Sequence, residues 1–185
     1  MIDVNQLRKG TSFMEDGQIY KVLDYTHNKT GRGSATIRLS VRNMRTGAIR
    51  EMTYNNGVRV QDISVDKRVV EYLYSDEDFL TFMDIETYEQ PHIRRDVLGD
   101  DIRYLKENMQ LELVFYENEV IDYAMPNTVE MTVIEADPGY AGDTANNPTK
   151  RVTVEGGFVV QVPIFVNQGD VIRIKTEDGS YVTRV

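Results

Sequence analysis

The alternation of apolar and polar positions along the chain has a period of two rather than 3.6. Its cleanest stretch is 35–42, where Ala35, Ile37, Leu39 and Val41 alternate with Thr36, Arg38, Ser40 and Arg42. One face is apolar and the other wet, the pattern of a half-buried strand whose outer face carries two arginines. Similar runs predict strands over 18–24, 69–74, 79–85, 111–116, 120–124, 129–135, 158–162, 171–175 and 181–184. Between strand-like runs stand Asp16-Gly17, Thr46-Gly47, Asn56-Gly57 and Asp178-Gly179, dipeptides that supply the positive φ of tight hairpins. Many short strands separated by regular turns predict an all-β fold of barrels or sandwiches. One segment departs from this. Over 94–108, Val97, Leu98, Ile102 and Leu105 recur among charges, predicting one short amphipathic helix that has Gly99 inside it.

Composition narrows the chemistry. The 185 residues contain no cysteine and two histidines, His27 and His92. Disulfides, thiol nucleophiles and Cys-ligated metals are excluded, and a multi-histidine metal site or a Ser-His-Asp triad has little to draw on. No cofactor and no metal are expected. The first ten residues, MIDVNQLRKG, lack the apolar core of a secretory signal, and no run approaches a membrane span. A cytoplasmic protein with no membrane partner is expected.

The net charge of −9 is unevenly spread. Residues 1–64 carry ten Lys and Arg against six Asp and Glu, residues 65–127 six against sixteen, and residues 128–185 five against eight. A basic first third ahead of an acidic middle suggests that one end faces phosphate while the middle is repelled from it. The charge shift near Ser64-Val65-Asp66 and the break at Met125-Pro126-Asn127 divide the chain into three all-β domains, 1–64, 65–127 and 128–185. Domains this small bury limited surface each, so packing between neighbours is expected.

Three stretches could carry chemistry. In His27-Asn28-Lys29-Thr30-Gly31-Arg32-Gly33-Ser34, the glycines on either side of Arg32 allow a narrow hairpin tip with a long cation at its apex. Arg32 can grip phosphate bidentately or stack on a base, and Lys29 adds a second charge. An ordinary solvated hairpin has the same composition, and the third glycine or Gly-Lys-Ser/Thr of a nucleotide-binding loop is missing. In the run from Asp84 to Gln90, Asp84 and Glu86 could act as acid and base, but nothing nearby separates their pKa values, and a solvated acidic edge fits the surrounding charge better. His92 reads as a surface or packing residue. Finally, the Gly-, Pro- and Asn-rich stretch 137–150 is a long loop inside a small β domain, and its Asn, Asp and Thr side chains suit base edges or ribose hydroxyls.

These motifs, in this order, resemble the bacterial elongation factor P family along essentially the whole chain. Residues 29–35 are similar to the family's modified loop. Phe82-Met83-Asp84-Ile85-Glu86-Thr87-Tyr88-Glu89-Gln90 resembles its second-domain signature. Pro138-Gly139, Gly142-Asp143-Thr144, Gly157 to Pro163 and Gly169 resemble its third-domain signature. The resemblance implies an N-terminal KOW/SH3-like β-barrel followed by two OB-fold β-barrels. Three positions depart from the usual pattern: Arg32 stands where most members have lysine, Thr30 replaces a proline, and Arg151-Val152 replaces small residues. Lysine-tipped members carry a β-lysyl or related extension. A rhamnosylated branch has arginine followed by Asn, where this chain has Gly33, so the state of Arg32 stays open.

The resemblance further implies a non-enzymatic translation elongation factor, expected to be a monomer. It would bind the 70S ribosome next to the P-site peptidyl-tRNA and aid peptide-bond formation at consecutive prolines. Arg32, Gly31 and Gly33 would form the tip at the peptidyl-transferase centre, with a modifying enzyme as a further partner of Arg32. Lys29, Arg38, Arg42, Tyr181 and Arg184 would contact tRNA, and the loop of Gly142, Asp143 and Thr144 would lie near mRNA and tRNA. The acidic middle domain would face ribosomal protein or solvent. Three alternatives stand beside this reading: the elongation factor P-like paralogue, a ribosome-independent single-stranded RNA-binding OB protein, and a carboxylate hydrolase on Asp84 and Glu86. The RNA-binding alternative calls for exposed aromatics interleaved with cations, and the acidic second and third domains count against it.

Overall fold

The polypeptide is built almost entirely of short antiparallel strands. The structure, a computed structural model, describes residues 1–29, 31, 35–139 and 148–185. The first sheet contains β1 (Ile2–Asp3), β2 (Ser12–Glu15), β3 (Gln18–Asn28), β4 (Thr36–Asn43), β5 (Ile49–Asn55) and β6 (Arg59–Asp62), in the order β1-β6-β2-β3-β4-β5. Asp16 and Gly17 close the β2–β3 hairpin with φ of 50° and 74°, the two positive values of a type I′ turn. The alternation in β4 behaves as its sequence demands. Ile37, Leu39 and Val41 are fully buried with Phe13, Val22 and Val60, whereas Arg38 is exposed.

The second sheet has the order β11-β10-β7-β8-β9. It contains β7 (Asp66–Ser75), β8 (Phe79–Asp84), β9 (His92–Arg94), β10 (Gln110–Tyr116) and β11 (Glu119–Ala124). The third, ordered β14-β13-β12-β15-β16, contains β12 (Thr128–Ala136), β13 (Thr149–Val154), β14 (Val159–Pro163), β15 (Val171–Lys175) and β16 (Tyr181–Arg184). The fold is thus all-β, in three barrel-like domains. No helix among the described residues is long and apolar enough to cross a membrane.

The helix expected over 94–108 is much shorter. Helix α1 spans only Arg95–Leu98, followed by a 3-10 turn over Gly99–Tyr104. Gly99 has a φ of 54°, which ends the helix after one turn. The chain then carries Tyr104, fully buried, into the cluster formed by Val129, Met131, Val133 and Ile172. The Arg103 guanidinium lies over the rings of Tyr104 and Phe158, at 4.9 Å from each centroid. Gly156, at φ 95°, closes against this turn, and a Cβ there would stand 2.3 Å from the Arg103 carbonyl oxygen.

The residues form two compact units: Met1–Arg68 with Leu113–Asp122, and Val69–Glu112 with Tyr123–Val185. Within the first, Val114 and Ile121 share a buried cluster with Ile19 and Met44.

Candidate nucleic-acid interface

The β3–β4 hairpin is the longest ladder of the first sheet. Its pairing runs from Tyr20↔Asn43 out to Asn28↔Thr36, so strand geometry continues to the edge of the connection at 29–35. Toward that end β3 leaves the core: from Thr26 onward its residues are exposed. Lys29 and Gly31 are exposed in the connection itself. The tip positions Arg32 and Gly33 lie outside the described residues, as do Gly142, Asp143 and Thr144 of the third-domain loop.

Register decides what lies beside each outward cation. Arg38 faces Thr26 on one side and Thr53 on the other, and Arg42 faces Lys21 and Ile49. Between these rows, Ser40 is flanked by Asp24 and Glu51. Like charges directly opposite each other on a sheet repel, and Lys21 is relieved by an ion pair with Asp122, whose side chain is 13% exposed. Among the described residues, Arg38 and Arg42 take part in no ion pair. Other cations of the basic third are held by the fold. Arg45 binds Glu119 at 3.0 Å, which raises its pKa, chiefly through that hydrogen bond. Arg50 lies over the Tyr20 ring and donates to its hydroxyl. Arg8 donates to the carbonyls of Asn5 and Leu7. Among the described residues of the basic third, the cations therefore divide into structural ones and a presented set of Lys9, Lys29, Arg38, Arg42 and Arg59, of which Lys29, Arg38 and Arg42 belong to the β3–β4 hairpin.

Three family models match in order: the elongation factor P KOW-like domain over residues 3–60, the elongation factor P OB domain over 65–123, and the elongation factor P C-terminal domain over 129–184. The chain belongs to the elongation factor P family. Its domains are those of a translation factor. Among solved structures it is similar to eukaryotic translation initiation factor 5A from Methanococcus jannaschii, at 22% identity and a TM-score of 0.52, over 66% of this chain and 89% of that one. That likeness is one of fold. A translation initiation factor eif-5a family protein from Naegleria fowleri matches at 12% identity and a TM-score of 0.44, over 67% and 96% of the two chains.

In this family member the two C-terminal candidates are tied into the third domain. Tyr181 is half-buried against the core and pairs in register with Ile174. Arg184 lies over the Phe165 ring at 5.2 Å and pairs with Asp170 at 3.5 Å. Neither sits on the sheet that carries Arg38 and Arg42. Phe165 is 53% exposed.

The acidic run at 84–90 is not simply a solvated edge. Asp84 is 3% exposed, and its carboxylate accepts the backbone N–H groups of Glu86 and Thr87 at 2.9 and 3.1 Å. Those donors satisfy the buried oxygen, making Asp84 the internal cap of the turn. Glu86 and Glu89 are exposed. His92 is exposed and its ring meets Phe79 edge-on at 5.1 Å, a packing role.

Proposed function

We propose that this chain is a translation elongation factor that binds the 70S ribosome next to the P-site peptidyl-tRNA. There it promotes peptide-bond formation on poor substrates such as consecutive prolines. The observation that carries this reading is the coincidence of family membership along the chain with a hairpin that presents Lys29 just past the end of β3 and Arg38 and Arg42 along β4.

Proline is a poor donor and acceptor because its ring fixes φ and restricts the angle of attack. The factor supplies no nucleophile and no general base, and in this sense is not an enzyme. Lys29, Arg38 and Arg42 hold tRNA phosphates by charge. The tip formed by Gly31, Arg32 and Gly33 lies beside the acceptor end and holds the two substrates in a reactive arrangement, a contribution of several kcal/mol. The 142–144 loop, with Tyr181 and Arg184, lies toward the anticodon stem and mRNA. The protein works in the cytoplasm as a monomer, and a modifying enzyme is a partner of Arg32.

Co-sedimentation with bacterial 70S ribosomes, followed by dipeptide formation on Pro-Pro codons, tests the proposal. Wild type should bind and accelerate the reaction. Arg32→Ala should bind and melt like wild type yet lose the acceleration. Arg32→Lys keeps the charge but loses the planar fork of donors and should also lose most of the acceleration while binding only slightly less well. Failure of wild type to bind ribosomes would overturn the reading. A large fall in melting temperature for Arg32→Ala would make that residue structural.

A further inference from the structure

Asn56-Gly57 is the single Asn-Gly pair in the chain. The two residues form the centre of the turn between β5 and β6, and both are exposed. The turn is closed by a long hydrogen bond, from the Val58 N–H to the Asn55 carbonyl at 3.3 Å. Among the described residues nothing accepts the Gly57 N–H, and a Cβ at that position would meet no atom within 4 Å. The Asn56 side chain, by contrast, is held. The Asn5 side-chain nitrogen donates to Asp3 Oδ1 at 2.6 Å and also to Asn56 Oδ1. A carboxylate only accepts, so Asp3 fixes which end of the Asn5 amide is the donor. That donor in turn demands an oxygen from Asn56. The Asn56 carbonyl is therefore polarised by an N–H, and its NH2 group is kept out of that contact.

We propose that Asn56 is a site of self-modification, converted to aspartate or isoaspartate by attack of the Gly57 backbone nitrogen, and that the change loosens the N-terminal strand. This chemistry needs no ribosome. The Gly57 nitrogen gives its proton to a solvent base and bonds to Cγ of Asn56. The Cγ–Nδ2 bond breaks, the departing nitrogen takes up a proton and leaves as ammonia, and a cyclic imide remains. Water then opens the imide at either carbonyl. The Asn5 N–H stabilises the negative charge that gathers on Oδ1 as the nitrogen adds, in the manner of an oxyanion donor. Glycine suits the attack because it has no side chain to shield its nitrogen. Either product disturbs a join. Aspartate at 56 places a second carboxylate on the Asn5 amide that already serves Asp3, and the two like charges repel. Isoaspartate adds a methylene to the backbone between two anchors. One is the Asn56 N–H, which donates to the Ala35 carbonyl at 2.9 Å, at the end of the connection 29–35. The other is the Val58 carbonyl, which accepts the Val4 N–H at 2.9 Å and so fastens β1 and the 3-10 turn Val4–Gln6 to the sheet.

The test is incubation of the full chain at neutral and at mildly alkaline pH, followed by peptide mapping with mass detection. The peptide that contains Asn56 should acquire the mass of the acid, divided between aspartate and isoaspartate forms, and faster at the higher pH. Gly57→Ala should all but abolish the change. Asn5→Ala should slow it severalfold in the folded chain, whereas in urea it and wild type should react at one rate. Absence of the acid form at Asn56, or a folded Asn5→Ala chain that reacts as fast as wild type or faster, would overturn the proposal. Asn56→Asp, made directly, should speed hydrogen exchange at the Val4 amide. Wild-type protection of that amide would overturn the loosening of the N-terminal strand.

Discussion

The β3–β4 hairpin and the turn after β8 both present side chains to solvent, but they present opposite chemistry by opposite means. Along the hairpin, strand pairing continues to Asn28↔Thr36, and register alone aims Arg38 and Arg42 outward with hydroxyl, lysine or aliphatic neighbours. In the turn after β8, pairing has ended. A buried carboxylate, Asp84, gathers the backbone N–H groups of Glu86 and Thr87 and holds acids and Tyr88 in solvent. Total charge counts both kinds of residue alike, yet they differ in duty. Lys21, Arg45 and Arg50 work inside the fold, and so does Asp84.

The largest effect expected from breaking this contrast is on the turn. Asp84→Ala removes a buried acceptor from two N–H groups and should destabilise by about 1–3 kcal/mol. Asp84→Asn keeps an acceptor oxygen and should cost less, as read from urea unfolding followed by tyrosine fluorescence. Equal losses would mean that the charge, and not the capping oxygen, matters.

On the hairpin the effect should fall on binding and leave folding alone. Arg38→Ala and Arg42→Ala should each lower the log–log salt slope of ribosome binding by about 1, if each meets one phosphate. Melting temperatures should stay near wild type. An unchanged slope would remove these arginines from the interface. Arg45→Ala sharpens the comparison: it breaks an exposed ion pair with Glu119, so stability should drop by no more than about 1 kcal/mol with the salt slope unaltered.

The smallest effect concerns acid. Asp76 accepts the backbone N–H groups of Phe79 and Asp78, and these bonds hold its carboxyl below the ordinary value. Because the folded value is depressed, the contribution is present above the unfolded aspartate pKa near 3.9 and is lost as pH falls through the folded value. Asp76→Asn should therefore flatten the acid limb of the stability profile below about pH 4. An unaltered limb would assign the acid sensitivity elsewhere.

Strands with one wet and one dry face were legible because alternation is their physical signature. The inner set Ile37, Leu39 and Val41 and the wet arginines of β4 follow directly from it. Strand β5 was not predicted, because most of its residues are exposed and no dry face marks it in the sequence, although the flanking Thr46-Gly47 and Asn56-Gly57 turns bracket it. Strands β1, β2, β6 and β9, of two, four, four and three residues, are too short for a period to show. The short helix within 94–108 was legible but its length was not: it ends at Gly99, whose φ is positive, and the chain turns to bury Tyr104. Asp84 was masked by the acids that follow it. Its signal was an Asp at the end of a strand followed by a polar run, the pattern of a side chain that caps its own turn.

One irregularity of β3 governs the hairpin. Pairing shifts between Val22 and Asp24, so Leu23 is an extra residue that leaves the facing of its neighbours intact: Val22 and Tyr25 pack inward on either side of it. A bulge of this kind bends the strand and increases its twist. Register and direction are consequently separate properties of the hairpin. Register determines which side chains are shown, and Leu23 determines where they are shown. Substitution at Lys29 or Arg38 can therefore vary the chemistry delivered without moving its point of delivery, whereas an insertion or deletion at the bulge would redirect the same chemistry to another address.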